Sequence, residues 1–585
     1  MYLRNLVLQR FRSCENTTVE LQPDLTVLVG ENNGGKSNIV DAIRLLALPA
    51  SGRRDRYAEE NDLRRGSAET DFLIEGMFSG LSPSLRGLLV SAIPDPSEDI
   101  AILGLKHQTK IDGSTRGRTS HWAGQFQDNA PEKGSLDLIR HIYLPPLRDA
   151  QRVLGSGSAA NIVSILKQFI GENDEVKDEF LRHVQRQGEP HELIQSVNDE
   201  IGSALGTLTN GVRPQDSSLD FHAEELADIA RDLRFRLSDA GIELAEIGSS
   251  GLGFANLLYM ATVVVELTGA KEADLTIFLV EEPEAHLHPQ LQSLVLGFLL
   301  DKANESLKRV SAPGEPEGKI QVIVTTHSPN LTACVSPKHL VVTRSEQVTR
   351  EDGAHLTRTK SIPIASLGLK PKTIRKIGRY LDVTRSALLF GQRALLVEGI
   401  AESLLIPSIA KYVVLNADKE AWQRFQGAAL VSIEGVDFKP YVEVLLRQHD
   451  NIGIADRVVV VTDADPRVQG NRKEDLEALA QHFGAADHLS VFVNQHTLEH
   501  ELLLAGNERL LKSAFLALHP RSGNDWEMLI EGIAEVGRPN AFLTLIDAKK
   551  TRKGDLAQEI ALRIERGYPV AVPDYLVAAI TAVIE

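Results

Sequence analysis

Five short apolar runs organise the chain. Residues 25–29 (Leu-Thr-Val-Leu-Val), 275–280 (Leu-Thr-Ile-Phe-Leu-Val), 320–324, 394–397 (Ala-Leu-Leu-Val) and 458–461 (Val-Val-Val-Val) are rich in β-branched residues and almost unbroken by polar ones. Runs of this length predict strands buried on both faces, as in parallel sheets. Between them the spacing becomes helical. Ile39, Ile43 and Leu46 share one face, Ile162, Ile165, Leu166 and Phe169 another, and Leu193, Val197, Ile201 and Leu205 a third. Strands alternating with helices predict an α/β chain.

Length and composition narrow the class. The 585 residues suit about three or four domains. With 43% hydrophobic and 24% charged residues, the chain reads as globular over most of its length, not as disordered. The longest apolar stretches, such as Leu257–Val265, fall short of the ~20 residues that span a bilayer, so no membrane partner is expected. Met1–Ser13 intersperses Arg4, Arg10 and Arg12 among apolar residues, unlike the core of a signal peptide. Cys14 and Cys334 are the only cysteines, which predicts a reducing, cytoplasmic setting. Net charge is −17, so any nucleic-acid contact must be local.

Chemistry begins directly after the first strand. Gly30-Glu31-Asn32-Asn33-Gly34-Gly35-Lys36-Ser37 satisfies G-x-x-x-x-G-K-[ST], and Asn38 opens the helix. Glycines aim backbone N–H groups at phosphates, Lys36 adds a charge for the terminal phosphates, and Ser37 supplies a Mg²⁺ ligand. ATP with Mg²⁺ is the expected cofactor. The run 275–280 ends in Glu281 and Glu282, where Glu281 would hold Mg²⁺ and Glu282 orient the attacking water. The run 320–324 leads to His327, placed to reach a γ-phosphate at the same sheet edge. His286 and His288 stand two apart beside Glu284, a spacing that is no strong metal signature.

A second centre lies beyond 390. The run 394–397 ends in Glu398-Gly399, with Glu402 following at a helix start, and 458–461 ends in Thr462-Asp463-Ala464-Asp465. Four carboxylates delivered to one edge repel one another and call for hard cations, Mg²⁺ or Mn²⁺. That is the composition of a phosphoryl-transfer site. Between the centres, residues 370–385 form a basic stretch at the expected domain junction, read either as a solvated helix face or as a contact for a DNA backbone.

These motifs carry two resemblances. Phe11-Arg12-Ser13, the Gly30–Ser37 loop, Glu281–His286 and His327-Ser328-Pro329 resemble the ABC-type ATPases of the recombination and SMC class. That resemblance implies a homodimer or higher oligomer, with Ser250 and Gly251 of the segment 249–253 meeting the other copy's nucleotide. The usual glutamine after that signature is missing here. The stretch from Ser37 to Glu281 also lacks the sustained heptads of an SMC rod. The Glu-Gly and Asp-x-Asp arrangement resembles the Toprim domain, a Rossmann-like fold.

Together they resemble the OLD (overcoming lysogenization defect) nucleases, a family that includes the nuclease subunit of the Gabija antiphage system. The resemblance implies an ABC-type P-loop ATPase domain in two parts (1–152 and 236–370), a helical dimerisation insert (153–235) and a C-terminal Toprim domain (371–585). It also implies a two-metal DNA endonuclease with ATPase activity, acting in antiphage defence or DNA processing. Glu398, Glu402, Asp463 and Asp465 would hold the metals with Glu499, and Lys553 would assist, with Lys549 and Lys550 as rivals. A UvrD-like helicase is a further partner it admits. The alternatives are an ATP-driven DNA clamp or sensor with an inert Toprim domain, and a topoisomerase-like enzyme that would need a tyrosine nucleophile.

Overall fold

The computed structural model describes residues 1–50, 54, 56–109, 117–146, 192–209, 215–221, 233–239, 245–246, 257–258, 260–262, 265, 273–285, 287–312, 314–349, 353, 355–464 and 471–585. The chain divides into two compact units, Met1–Pro363 and Ile364–Glu585. The division falls slightly before the boundary expected after 370, so the basic stretch belongs wholly to the second unit.

The first unit is built on a seven-stranded sheet. Its strand order is His355–Pro363, Leu340–Thr349, Leu25–Gly30, Lys319–Thr326, Leu275–Glu281, Ile139–Leu144 and Leu48–Pro49. Only the first pair is antiparallel. Every residue of Leu25–Gly30 and of Leu275–Glu281 is buried, which explains their unbroken apolar character. The register pairs Glu281 with Thr325 and Val29 with Thr326, so the P-loop, the acidic pair and His327 emerge at one edge. A five-stranded antiparallel sheet (order Cys14–Glu20, Tyr2–Phe11, Asp71–Ser79, Ala101–Gln108, Arg118–Ala123) shares a core with this sheet and with the helix Lys36–Leu46.

The segment 153–235 departs from the helical expectation. Its described part holds the helix Glu192–Thr209, but also the strand Gln215–Phe221, which pairs antiparallel with Leu233–Asp239 in a three-stranded sheet completed by Ala245–Glu246. Leu233-Arg234-Phe235-Arg236-Leu237 alternates apolar and polar residues, a period of two that a helical reading passes over. Leu193, Val197, Ile201 and Leu205 are all buried in this chain alone, so their stripe is core within their own unit. Ile162, Ile165, Leu166 and Phe169 lie outside the described residues.

The second unit carries a four-stranded parallel sheet, ordered Ala429–Ser432, Arg393–Val397, Arg457–Asp463 and Leu489–Asn494. Helices Ile400–Ile409 and Lys553–Glu565 pack together, and Asp574–Ile584 packs on the strands Arg457–Asp463 and Leu489–Asn494. The start of that last helix, at Tyr575, is thereby brought near the acids, while its end is tied to Arg393 and Arg457 at the opposite ends of the strands. Fully buried Phe515, Trp526 and Phe542 pack against one another in the same core.

Candidate active sites

The nucleotide-binding candidate is a cavity of about 630 Å³ in the first unit, lined by Ser13, Asn33, Gly34, Gly35, Lys36, Ser37, Asn38, Arg65, His327 and Thr357. Its size suits a nucleotide. Two glycines in the loop are obligatory. Gly30 (φ +145°) would drive a Cβ to 2.1 Å from the Thr343 carbonyl oxygen, and Gly35 (φ +92°) would place one 2.3 Å from Thr359 Oγ1. Lys36 Nζ donates to the carbonyls of Gly30 and Glu31, each at 2.8 Å, and lies 3.4 Å from His327 Nδ1. Burial pulls its pKa down to about 8 against the pull of Glu282, Glu284 and Glu31. A buried ammonium held by carbonyls and an imidazole, with no carboxylate in an ion pair with it, fits a polyphosphate ligand.

Acids complete this edge. Glu281 is buried, accepts from Tyr143 Oη at 3.1 Å, and is raised in pKa by burial despite donation from Tyr143 and Ser37. The Arg44 guanidinium carbon sits 3.8 Å from the Tyr143 ring centre, steadying that phenol. Glu282 adopts a left-handed backbone (φ +45°) and its carboxylate stands 3.4 Å from His327 Nε2. A non-glycine residue held at positive φ is a mark of a functional turn. Glu284 accepts from Thr326 Oγ1 (2.8 Å) and His327 N–H (2.7 Å), fixing the histidine loop. Arg12 is anchored by Asp41, Asp62 and Asn38 beside the cavity.

The second candidate forms at the C-terminal edge of the four-stranded sheet. Glu398 follows one central strand and Asp463 ends its neighbour, with Glu402 in the first turn of the helix that Gly399 opens. Glu398 Oε1 accepts from Asp463 N–H at 2.9 Å, from Arg472 Nη1 at 2.7 Å and from Thr462 Oγ1. Glu402 Oε2 accepts from Gly399 N–H at 3.1 Å. Asp463 Oδ1 accepts from Asn494 Nδ2 at 2.6 Å, and Lys553 Nζ reaches Glu499 Oε2 at 3.2 Å.

Electrostatics mark the site as under-neutralised. Burial, reinforced by Glu398 and Glu402, pushes Asp463 up to about 7 although Asn494 opposes it. Burial also raises Glu402, with Glu499 and Glu398 adding to the shift. For Lys553, burial works against the charge, but Glu499, Asp463 and Glu402 outweigh it and hold the ammonium above the usual lysine range.

As placed, no three His, Cys, Asp or Glu side chains among the described residues converge tightly enough to enclose an ion. The cause is visible: Glu398 is turned onto Arg472 and Asp463 onto Asn494. The residues nevertheless fit a hard divalent cation. They offer only oxygen donors, Arg472 and Lys553 compensate only part of their charge, and the buried Asn494 Oδ1 and Thr497 Oγ1 lack hydrogen-bond partners.

A pH dependence follows from Asp463. A carboxyl raised to about 7 stabilises the metal-free fold fully below its ordinary pKa, and that contribution disappears as pH rises through 7. A cation needs the ionised form, so its binding releases a proton below about pH 7. With no nucleotide present, the rise in thermal midpoint given by Mg²⁺ or Mn²⁺ should grow from about pH 5.5 to 7 and then level off. A rise independent of pH would contradict the assignment.

The sheet edge thus gathers Glu398, Glu402 and Asp463, and Lys553 pairs with Glu499. Lys549 instead pairs with Asp525. Asp465, Ser250, Gly251 and His286 lie outside the described residues. Sequence reasoning missed Asn494, Arg472 and Tyr575. Asn494 ends the edge strand Leu489–Asn494 level with Asp463, so a polar residue closing an apolar run was the available signal. Tyr575 adjoins Asn494, and burial with Asp463 and Glu402 nearby raises its pKa, so it stays a phenol and a poor nucleophile.

Comparison with known proteins matches both halves. A family model described as an AAA ATPase domain covers residues 1–115 and 126–332, and one described as an overcoming lysogenization defect protein-like TOPRIM domain covers 389–465. The Old nuclease of Escherichia phage P2 is 25% identical over 509 residues, 81% of this chain and 79% of that protein. The Endonuclease GajA of Bacillus cereus (strain VD045) is 20% identical over 503 residues, 82% of this chain and 78% of that protein. Among solved structures, the SmcHead bound to the C-winged helix domain of ScpA aligns with 62% of this chain and 98% of its own at 19% identity, TM-score 0.41.

Proposed function

We propose that this chain, which belongs to the AAA ATPase domain family and carries an OLD-like Toprim domain after it, is a metal-dependent DNA endonuclease coupled to an ATPase. One observation carries the reading: Glu398, Glu402 and Asp463 gather under-neutralised at one edge of a parallel sheet, with Lys553 held close by through Glu499. Glu398, Glu402, Asp463, Asp465 and Glu499 are the residues that would hold Mg²⁺ or Mn²⁺, two ions in the full reading. Divalent cations there supply an acidified water and positive charge opposite a departing oxygen.

The chain's own groups do the rest. Asn494 fixes the Asp463 carboxylate, Arg472 fixes Glu398, and the half-exposed Lys553 ammonium would turn from Glu499 toward a phosphate. In the first unit Lys36 and the loop amides bind the polyphosphate, Ser37 and Glu281 would hold its Mg²⁺, and Glu282 with His327 would position water. The resemblance supports a homodimer through Ser250 and Gly251, and antiphage defence as the setting. No helix among the described residues is long and apolar enough to cross a membrane.

A plasmid-cleavage assay crossing metal (none, Mg²⁺, Mn²⁺) with ATP (absent, present) tests both centres together. Nicked or linear product that requires metal supports the nuclease. ATP turnover and DNA binding without any cutting would favour the clamp, and a covalent protein–DNA adduct the topoisomerase.

A further inference from the structure

The helix Pro371–Tyr380 opens the second unit with an unusual charge pattern. Residues 370–380 contain five cations and no acid. Thr373 and Ile377 are buried, and Thr373 Oγ1 donates to Glu443 at 2.8 Å, which fixes the inner face of the helix. Lys372, Arg375 and Arg379, at i, i+3 and i+7, therefore share the opposite face. All three are exposed, as is Lys370 at the helix start. Of the five cations Lys376 is the one with an ion pair among the described residues, to Asp437. Like charges at this spacing repel, so the stripe is locally unfavourable until an anion meets it.

The location is specific. Asp437 belongs to the loop after the strand Ala429–Ser432. In that loop Ile433 N–H bonds the Val397 carbonyl and Gly435 N–H the Glu398 carbonyl, each at 3.0 Å. Through Lys376 the basic helix is tied to the loop that lies against Glu398. The helix that bears the other cations is thus tethered on the carboxylate side of the sheet. From Lys372 to Arg379 the helix rises ~10 Å. That spans about three phosphate-to-phosphate steps of one strand, at ~3.4 Å of axis each.

We propose that Lys372, Arg375 and Arg379, with Lys370, form a sequence-independent contact for the phosphate backbone of DNA and hold the substrate strand beside Glu398 and Asp463. This rests on the nuclease reading and adds the surface through which the acidic chain takes its substrate. The face is a row of cations with no aromatic platform, suited to phosphates, and phosphate contacts position DNA without reading its sequence.

The test uses the full chain with Ca²⁺ in place of Mg²⁺ and a short fluorescein-labelled duplex, followed by anisotropy across a salt series. The triple variant Lys372→Ala/Arg375→Ala/Arg379→Ala should lose on the order of tenfold in affinity per contact at 0.1 M salt. Its slope of log K against log salt should flatten by about 0.9 per contact removed. Arg375→Lys/Arg379→Lys, which keeps the charge, should stay within about twofold of the parent. ATP turnover should not change. Equal affinity and slope in the triple variant, with plasmid cutting intact, overturns the surface and leaves the nuclease reading standing. A parent chain that neither binds nor cuts DNA overturns both.

Discussion

Asp463→Ala should lower plasmid cutting by at least about 10²-fold while ATP turnover stays near the parent value. The carboxylate ends a central strand and is held by Asn494 at 2.6 Å, so its position relative to Glu398 and Glu402 is fixed by backbone and amide together. A cation displaced by ~1 Å from the line of attack is enough for a loss of that size. Lys36 and Glu282, the proposed ATPase residues, lie in the other unit, so ATP hydrolysis should be untouched. Asp463→Asn serves as the companion variant, since it keeps the shape and a hydrogen-bonding oxygen but not the charge. Both should remove most of the pH dependence of the metal-induced rise in thermal midpoint, and DNA binding should hold or tighten as a negative charge leaves the phosphate path. Native-rate nicking by Asp463→Ala in Mg²⁺ or Mn²⁺ would place the nuclease centre elsewhere.

How much of this was legible in the sequence depends on how each residue reaches its site. Glu281, Glu398 and Asp463 were readable because each directly follows or closes a strand buried on both faces. A continuous apolar run announces such a strand and its end announces the sheet edge. The P-loop was readable because its glycines answer a local need, as the close approach of Thr343 and Thr359 to Gly30 and Gly35 makes plain. The antiparallel sheet of the first unit was not read, since its burial alternates and lies below the contrast of the apolar runs; Tyr2–Phe11 is an example. Arg472 and Tyr575 had no local signal at all. Each reaches the carboxylates through tertiary packing, Arg472 from the start of a surface helix and Tyr575 from the C-terminal helix. Tyr143 and Arg44, which steady Glu281, belong with them: an aromatic ring beside a cation is visible only once the strand and helix are folded together.

Lys36→Ala should abolish ATP hydrolysis, a loss of about 10²–10³-fold or more by comparison with removing a preorganised charge or donor from other phosphate and oxyanion sites. Its ammonium is satisfied by the Gly30 and Glu31 carbonyls and stands near His327. It is buried and held at about pH 8, poised to exchange those carbonyls for phosphate oxygens. Truncation removes a cation whose burial opposes its charge, so the fold should survive with a thermal midpoint near the parent's. Because binding requires the protonated amine, the parent's ATP affinity should weaken as pH rises past about 8, whereas the variant's weaker affinity should show no such step. Phosphate release and binding of a labelled nucleotide across that pH range measure both effects. Metal-dependent cutting should persist in some form, since the Glu398–Asp463 edge contains no part of the loop, and its level with and without ATP will show the sense in which the nucleotide governs the nuclease. Unchanged ATP turnover in Lys36→Ala would remove the basis for assigning the Gly30–Ser37 loop to the nucleotide.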